Sequence, residues 1–494
     1  MLLKFGVAQM QVGLVLARTL KLLRRIAICC SSYSRFVRFK LDSSPHDHLI
    51  FFSMWIKNDH ARCQPHAAHG IRTRNLIILS IGLLTTALRA AAESDNAPTT
   101  LKDAYQNYFY VGVAINRTIA TGTSVRVDNV NRALDRVEQD AALTTQQFDQ
   151  ISPENDLKWA LIQPRPGADG YDFGPADAYV NFGVSNHMYI VGHTLVWHGQ
   201  TPNWVFAGTN LPPDITNASS SASPTGTAEA GTNGMRRGRG PGGFGRGGFN
   251  GPRASREELL QRMHDHIATV VGRYKGKIKV WDVVNEAIDD RGTNILRNSL
   301  WLQIIGPDFI AKAFEYAHEA DPDAILRYND YSLENPQKRH KLITLIKSLQ
   351  AQHVPVMAIG SQTHVSVSGP SFEEEDATLR DLEQLGLQIH ITELDVNSAE
   401  RGQRNTGADV AENAAATQGG LVNDANNRLA AEYANLFRAF LKHRNSVKVV
   451  TFWGVNDGVS WRAQGRPLLF DADDKPKPAF DAVILEAKKA AEMK

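Results

Sequence analysis

From Leu101 onward, short apolar runs alternate with longer amphipathic stretches. The runs fall at Tyr110–Ile115, Gln147–Ile151, Met188–His193, Ile278–Val284, Ala324–Tyr328, Val354–Ile359, Leu387–Ile391 and Val447–Trp453. Helix-like segments such as Arg256–Tyr274 and Phe309–Ala320 separate several of them. Strand then helix, repeated in this way, predicts a parallel sheet closed into a barrel. Local signals agree. Ser255 and Glu258 have the S-x-x-E spacing of a capping box ahead of Leu259, Leu260 and Met263. Asp321-Pro322-Asp323 predicts a turn into the next strand, because proline cannot continue a helix.

Two stretches break the pattern. Residues 208–254 are rich in Gly, Ser, Thr and Asn, then become Met235-Arg236-Arg237-Gly238-Arg239-Gly240 and Gly242-Gly243-Phe244-Gly245-Arg246-Gly247-Gly248-Phe249. Such a segment buries too little apolar surface to offset its ordering entropy. The fold class expected is therefore α/β, a single (β/α)8 TIM barrel over residues 99–490, with a long disordered Gly/Arg-rich insertion after strand 3. A second polar stretch, Asn397 to Asn426, follows strand 7. Both are expected at the face formed by the C-terminal strand ends.

The 494 residues are 43% hydrophobic, ample for a large core, and barrels often exceed 250 residues as one unit. A net charge of +2 does not advertise a polyanionic partner for the whole chain. Cys29, Cys30 and Cys63 all precede residue 70, so the body has no disulfide framework and no thiolate metal site. Residues 71–92 resemble a secretory signal: Arg72 and Arg74, a mostly apolar Leu76 to Leu88, then Ala90-Ala91-Ala92 before Glu93. The apolar part is short for a bilayer span. Secretion or a periplasmic location is the expectation, with no stable membrane insertion after processing. The signal is oddly internal. The preceding residues 1–70 show no clear periodicity, and a start site further in is preferred over a genuine extension.

Two carboxylates stand out. Glu286 follows the run Ile278–Val284 and Asn285; Glu393 follows the run ending at Ile391. A carboxylate at the C-terminal end of a barrel strand sits on the working face. Two on different strands are the minimal equipment for cleaving a glycosidic bond, one donating a proton and one stabilising a cationic sugar.

Five separated motifs now point to a family. They are Ser152-Pro153-Glu154-Asn155-Asp156-Leu157-Lys158-Trp159; Gly192-His193-Thr194-Leu195-Val196-Trp197-His198; Trp281-Asp282-Val283-Val284-Asn285-Glu286; His390-Ile391-Thr392-Glu393-Leu394-Asp395; and Phe452-Trp453-Gly454-Val455-Asn456-Asp457-Gly458-Val459-Ser460-Trp461. Together they resemble glycoside hydrolase family 10, the retaining endo-β-1,4-xylanases, over about Leu101 to Ala487. The resemblance implies a cofactor-free hydrolase acting on xylan and xylo-oligosaccharides. It implies Glu286 as acid/base and Glu393 as nucleophile, with carboxyls about 5–5.5 Å apart. It implies His364 as the histidine bonded to the nucleophile, Asp395 as the carboxylate orienting it, and Asn285 as a partner of the sugar 2-hydroxyl. His193 and Gln362 match further polar contacts at the cleavage point. Glu154, Asn155 and Lys158 match a grip on the next sugar, with Gln200 beside them. Trp197, Trp453 and Trp461 match aromatic walls, whereas Trp159 and Trp281 are expected in the core.

Departures accompany the match. Leu157, Asn456 and Ser332 stand where methionine, threonine and asparagine are more usual, and Ser332 bears on the leaving-group side. The insertion puts access to the cleft in doubt. Its Arg236, Arg237, Arg239 and Arg246 among Phe244 and Phe249 resemble an RGG-type segment, but a plain flexible loop is preferred and nucleic acid is not an expected partner. No metal constellation and no phosphate loop stand out. A monomer is expected. Two other readings stay open, an endo-β-1,4-glucanase and an inactive glycan-binding barrel; the Glu154, Asn155 and Lys158 grip speaks against the first, and the intact Glu286, Glu393 and His364 against the second.

Overall fold

The computed structural model describes residues 37–43, 50–56, 100–124, 133–208, 251–398 and 420–493. The chain divides into two units, Met1–Ala97 and Pro98–Lys494. The first contains an antiparallel pair of strands, Val37–Ser43 and Ile50–Ile56, with Val37 opposite Ile56 and Ser43 opposite Ile50. The aperiodic pattern of the first 70 residues gave no sign of it. The signal-like residues 71–92 lie outside the described residues.

The second unit is a (β/α)8 barrel. Its strands are β1 (Tyr110–Ile115), β2 (Gln150–Pro153), β3 (Tyr189–Trp197), β4 (Ile278–Asn285), β5 (Ile325–Asp330), β6 (Ala358–Ser361), β7 (Gln388–Asn397) and β8 (Val447–Phe452). Neighbours in sequence pair in parallel, and β8 pairs with both β7 and β1, which closes the ring. One long helix follows each strand: α1 (Leu134–Gln147), α2 (Gly174–Ser185), α3 (Arg256–Arg273), α4 (Phe309–Ala320), α5 (Pro336–Ala351), α6 (Phe372–Glu383), α7 (Gly420–Lys442) and α8 (Pro478–Glu492). A right-handed crossover helix after every strand is what parallel pairing demands.

Several strand boundaries differ from the apolar runs. Strands β3, β4, β5 and β7 continue past the expected apolar runs: β3 through Thr194 to Trp197, β4 to Asn285, β5 to Asn329 and Asp330, and β7 through Thr392, Glu393 and Asp395 to Asn397. These polar ends stay extended because their side chains bond one another across the barrel mouth. Strand β2 begins at Gln150, because Gln147 is the last residue of α1 and its side chain accepts the Leu101 N–H at 3.2 Å. Strand β6 begins at Ala358; Val354 and Val356 are buried in the approach to it.

The helix signals hold. Ser255 and Glu258 form a reciprocal capping box at the start of α3, and α4 ends at Ala320 just before Asp321-Pro322. Trp281 is core, with no exposure. It fits because Gly192 faces it; a Cβ there would meet the indole at 2.2 Å. Trp159 is also core, stacked on His266 with ring centres 3.7 Å apart.

The insertion leaves from a closed neck. Ala207 and Arg253 form an antiparallel bridge, and the Gly208 N–H donates to the Pro252 carbonyl at 2.9 Å. The expected disorder of residues 208–254 concerns 209–250, outside the described residues, as are 399–419 of the second polar stretch.

Candidate active site

Asn285 ends β4, and Glu286 follows it with a left-handed φ of 57°. That conformation costs a non-glycine residue roughly 1–2 kcal/mol, so something must hold it. The Glu286 N–H donates to the Asn329 carbonyl at 2.9 Å, and Arg297 Nε donates to the Glu286 carbonyl at 3.1 Å. The side chain is 4% exposed. Its Oε2 accepts from Trp197 Nε1 at 2.8 Å and its Oε1 from Gln362 Nε2 at 3.0 Å. Burial pushes this carboxyl above the usual glutamate range. The charges of Asp330 and Glu393 push the same way, against the hydrogen bonds from Gln362 and Trp197.

Glu393 lies within β7 and is equally hidden, 6% exposed. Its Oε1 accepts from Asn329 Nδ2 at 2.8 Å, and its Oε2 lies 3.2 Å from His364 Nε2. Burial also pushes this carboxyl up. The His364 hydrogen bond and the positive charges of His193, His364 and Lys158 outweigh it and hold Glu393 below its ordinary value. Behind His364 stands Asp395, with Oδ2 3.0 Å from Nδ1. Burial disfavours the imidazolium, but Asp395 and the bond to Glu393 overcome that and raise His364 to about 9. Asp395 is fully buried. Burial raises its carboxyl, and Arg462 and His364 outweigh this to hold it low. Its oxygens accept from Arg462 Nη1 at 2.9 Å and Trp461 Nε1 at 2.8 Å.

An amide chain joins the two carboxylates. Gln362 Nε2 reaches Glu286 and, at 3.3 Å, Asn285 Oδ1; Asn329 Nδ2 reaches Glu393 and, at 2.9 Å, the same Asn285 oxygen. With its oxygen doubly occupied, Asn285 has its NH2 left to give a ligand. The wider site follows the motifs. Lys158, almost buried, donates to Asn155 Oδ1 at 2.9 Å and lies 5.2 Å from the Trp197 ring centre. Gln200 Nε2 approaches Asn155 Oδ1 at 3.5 Å. Glu154 is half-buried, its N–H on the Ile115 carbonyl at 3.0 Å. His193 meets Trp453 edge-on at 5.4 Å, and Trp461 meets His364 edge-on at 5.1 Å. The arrangement can donate a proton from one side and hold a stable anion on the other.

Sequence reasoning gave no role to four residues that organise this site. Asn329, fully buried, bridges Asn285 and Glu393. Asp282 holds His193 Nδ1 at 3.0 Å and is itself held by Arg327 at 2.6 and 2.9 Å. Arg327 also donates to His390 Nδ1 at 3.0 Å. Arg462 clamps Asp395. For Asp282 and Arg327 the signal was present: charged residues inside predicted strands demand buried partners. What lacked was the partner's identity. Asn456 belongs to the scaffold, its Nδ2 reaching both Asp140 and Asp474 at 2.6 Å. Ser332 is exposed at φ 54°, a conformation asparagine also tolerates. Among the described residues, no group of three or more His, Cys, Asp or Glu is arranged to hold a metal ion, and no helix is long and apolar enough to cross a membrane.

Comparison with known proteins decides the family. The profile of glycosyl hydrolase family 10 matches residues 100–221 and 247–486. The chain belongs to glycosyl hydrolase family 10. The gap in the match, 222–246, falls inside the Gly/Arg-rich stretch. The chain is 38% identical over 395 residues to an endo-1,4-beta-xylanase A of a Caldicellulosiruptor strain, covering 79% of this chain and only 48% of that protein. It is 36% identical to an endo-1,4-beta-xylanase of Geobacillus stearothermophilus, covering 78% of this chain and 98% of the other. Among solved structures, an intracellular xylanase of Thermoanaerobacterium saccharolyticum in complex with xylotriose superposes with a TM-score of 0.60 at 33% identity, over 78% of this chain and 99% of the other.

Proposed function

We propose that this family 10 hydrolase is an endo-β-1,4-xylanase that cleaves internal bonds of xylan with retention, in two displacements. One observation carries the reading: two equally buried carboxyls are pushed in opposite directions, Glu286 toward its acid and Glu393 toward its anion. In the first displacement a Glu393 oxygen bonds to the anomeric carbon as the bond to the leaving oxygen breaks, and Glu286 gives that oxygen its proton. In the second, Glu286 takes a proton from water, whose oxygen displaces Glu393 from the same carbon. Asn285, with its NH2 left to give, donates to the 2-hydroxyl, a bond that tightens as the ring flattens. His193 and Gln362 serve the same sugar. Glu154, Asn155, Lys158 and Gln200 hold the next one, and Trp197, Trp453 and Trp461 supply apolar walls. The relatives named xylanases support xylan as substrate.

Residues 93–494 incubated with glucuronoxylan and with a soluble β-1,4-glucan, with new reducing ends and their anomeric form followed by proton NMR, test this. Xylan cleavage giving the β-anomer first is expected. Preferential glucan cleavage would overturn the substrate, the α-anomer first would overturn the mechanism, and no cleavage of either would favour a glycan-binding barrel. The signal-like residues 71–92 support export; N-terminal sequencing of recovered protein should then find Glu93 first, and an intact leader would refute it.

A further inference from the structure

Behind Glu286 lies a second set of buried charges that the carboxylate pair does not itself require. Asp330 ends β5 and is fully buried. Its Oδ2 accepts from the Ile288 N–H at 3.3 Å and from the Tyr328 hydroxyl at 2.8 Å. The same hydroxyl accepts the Ala287 N–H at 3.0 Å. With the Glu286 N–H on the Asn329 carbonyl, three consecutive amides, 286 to 288, are bonded to the three residues that end β5. The left-handed turn that aims Glu286 into the cleft is therefore held from β5.

The charge of Asp330 is only partly balanced. Its Oδ1 accepts the Tyr331 N–H at 2.9 Å and lies 2.9 Å from Lys338 Nζ. Lys338 is shared, reaching Asp290 Oδ1 at 2.8 Å with its ammonium 3.3 Å from the Tyr331 ring centre. Arg297, bonded to the Glu286 carbonyl, is likewise committed to Asp290 at 3.0 Å and to the Tyr331 hydroxyl at 2.7 Å.

We propose that Asp330 is a positioning residue for the acid, fixing the turn that carries Glu286 while its buried negative charge, set by Lys338, keeps the proton on Glu286. The proposal deepens the hydrolase reading and rests on it for the activity assays. A buried anion disfavours ionisation of a carboxyl beside it. After burial itself, Asp330 and Glu393 are the charges that push Glu286 upward. The other groups facing Glu286 differ in kind: Gln362 and Trp197 donate to its carboxyl, and Arg297 grips its carbonyl. Asp330 also differs from Glu393 in time. Glu393 loses its charge once bonded to the sugar, which lets Glu286 turn base; the Asp330 charge persists through both displacements and limits how far that change goes.

Asp330→Asn removes the charge and leaves an acceptor for the Ile288 N–H. On xylan, kcat/KM should fall roughly 3- to 10-fold on the alkaline side, where Glu286 is losing its proton, and change less than about twofold on the acid side. On an aryl xylobioside whose leaving group needs no proton, the alkaline loss should vanish. Lys338→Gln should act with the opposite sign, extending the alkaline limb upward. Titration of 13C-labelled Glu286 in the free protein reads the same two shifts without substrate, so it stands even if xylan is not the substrate. Opposite displacements in the two variants support the proposal. A uniform loss at all pH values, or an unmoved Glu286 titration in both, would overturn it.

Discussion

Glu286 and Glu393 are the same residue type, one just after β4 and the other within β7 of the same sheet, and nearly equally buried. Burial alone would push both carboxyls up. Their neighbours separate them. Glu393 meets a histidinium backed by Asp395 and Arg462, and nearby cationic charge from His193 and Lys158. Glu286 meets neutral donors, with the anions Asp330 and Glu393 close by. The difference teaches that at nearly equal depth the two protonation states are separated by the groups each carboxyl touches and the charges around them. It also fixes the pH dependence. Activity should fall as acid protonates Glu393 and as alkali removes the Glu286 proton, giving a bell.

The sharpest way to break the comparison is to delete one partner at a time. Glu393→Ala should lower kcat on xylan by a factor on the order of 10⁴ or more, the scale seen when a nucleophile is removed, and azide should restore turnover with inverted product. Glu286→Ala should cost roughly 10²–10⁴-fold on xylan and far less on an aryl xylobioside with a good leaving group; equal losses on both substrates would deny it the acid role. His364→Asn removes the charge that keeps Glu393 ionised. The acid limb of the profile should move to higher pH, with a loss of about 10- to 100-fold at pH 5 and a smaller one at pH 7. An unmoved acid limb would leave His364 as packing only. Gly360→Ala is the mildest probe. A Cβ there would sit 2.2 Å from Asn329 Oδ1, forcing the amide that bridges Asn285 and Glu393 to move. A few-fold drop in kcat with KM little changed is expected, measured beside a thermal melt to separate it from a core defect.

Much of this was readable along the chain. Eight apolar runs and their intervening amphipathic stretches announced the barrel, because buried strands and half-buried helices carry different periods. The capping box at Ser255 and the stop at Asp321-Pro322 are local chemistry and appeared where expected. Strand ends were misread at β4, β5 and β7 because their last residues are polar yet interior, and at β3 because His193 and Thr194 interrupt its apolar run before Leu195. Of the unassigned residues, Asn329 shares that origin, whereas Asp282, Arg327 and Arg462 went unassigned because their partners are remote in sequence.

The sequence by itself determined the succession of elements, the placement of Glu286 and Glu393 after apolar strands, and the motifs that tie the chain to its family. Those depend on side-chain type and spacing, which act locally. Only the tertiary structure decided that Asn329 bridges Asn285 and Glu393, that Asp330 stands behind Glu286, and that a histidinium faces Glu393. These pairings join residues 29 to 64 positions apart. No periodicity encodes them, because they arise where closing the ring brings polar strand ends out of water and leaves them only one another to bond.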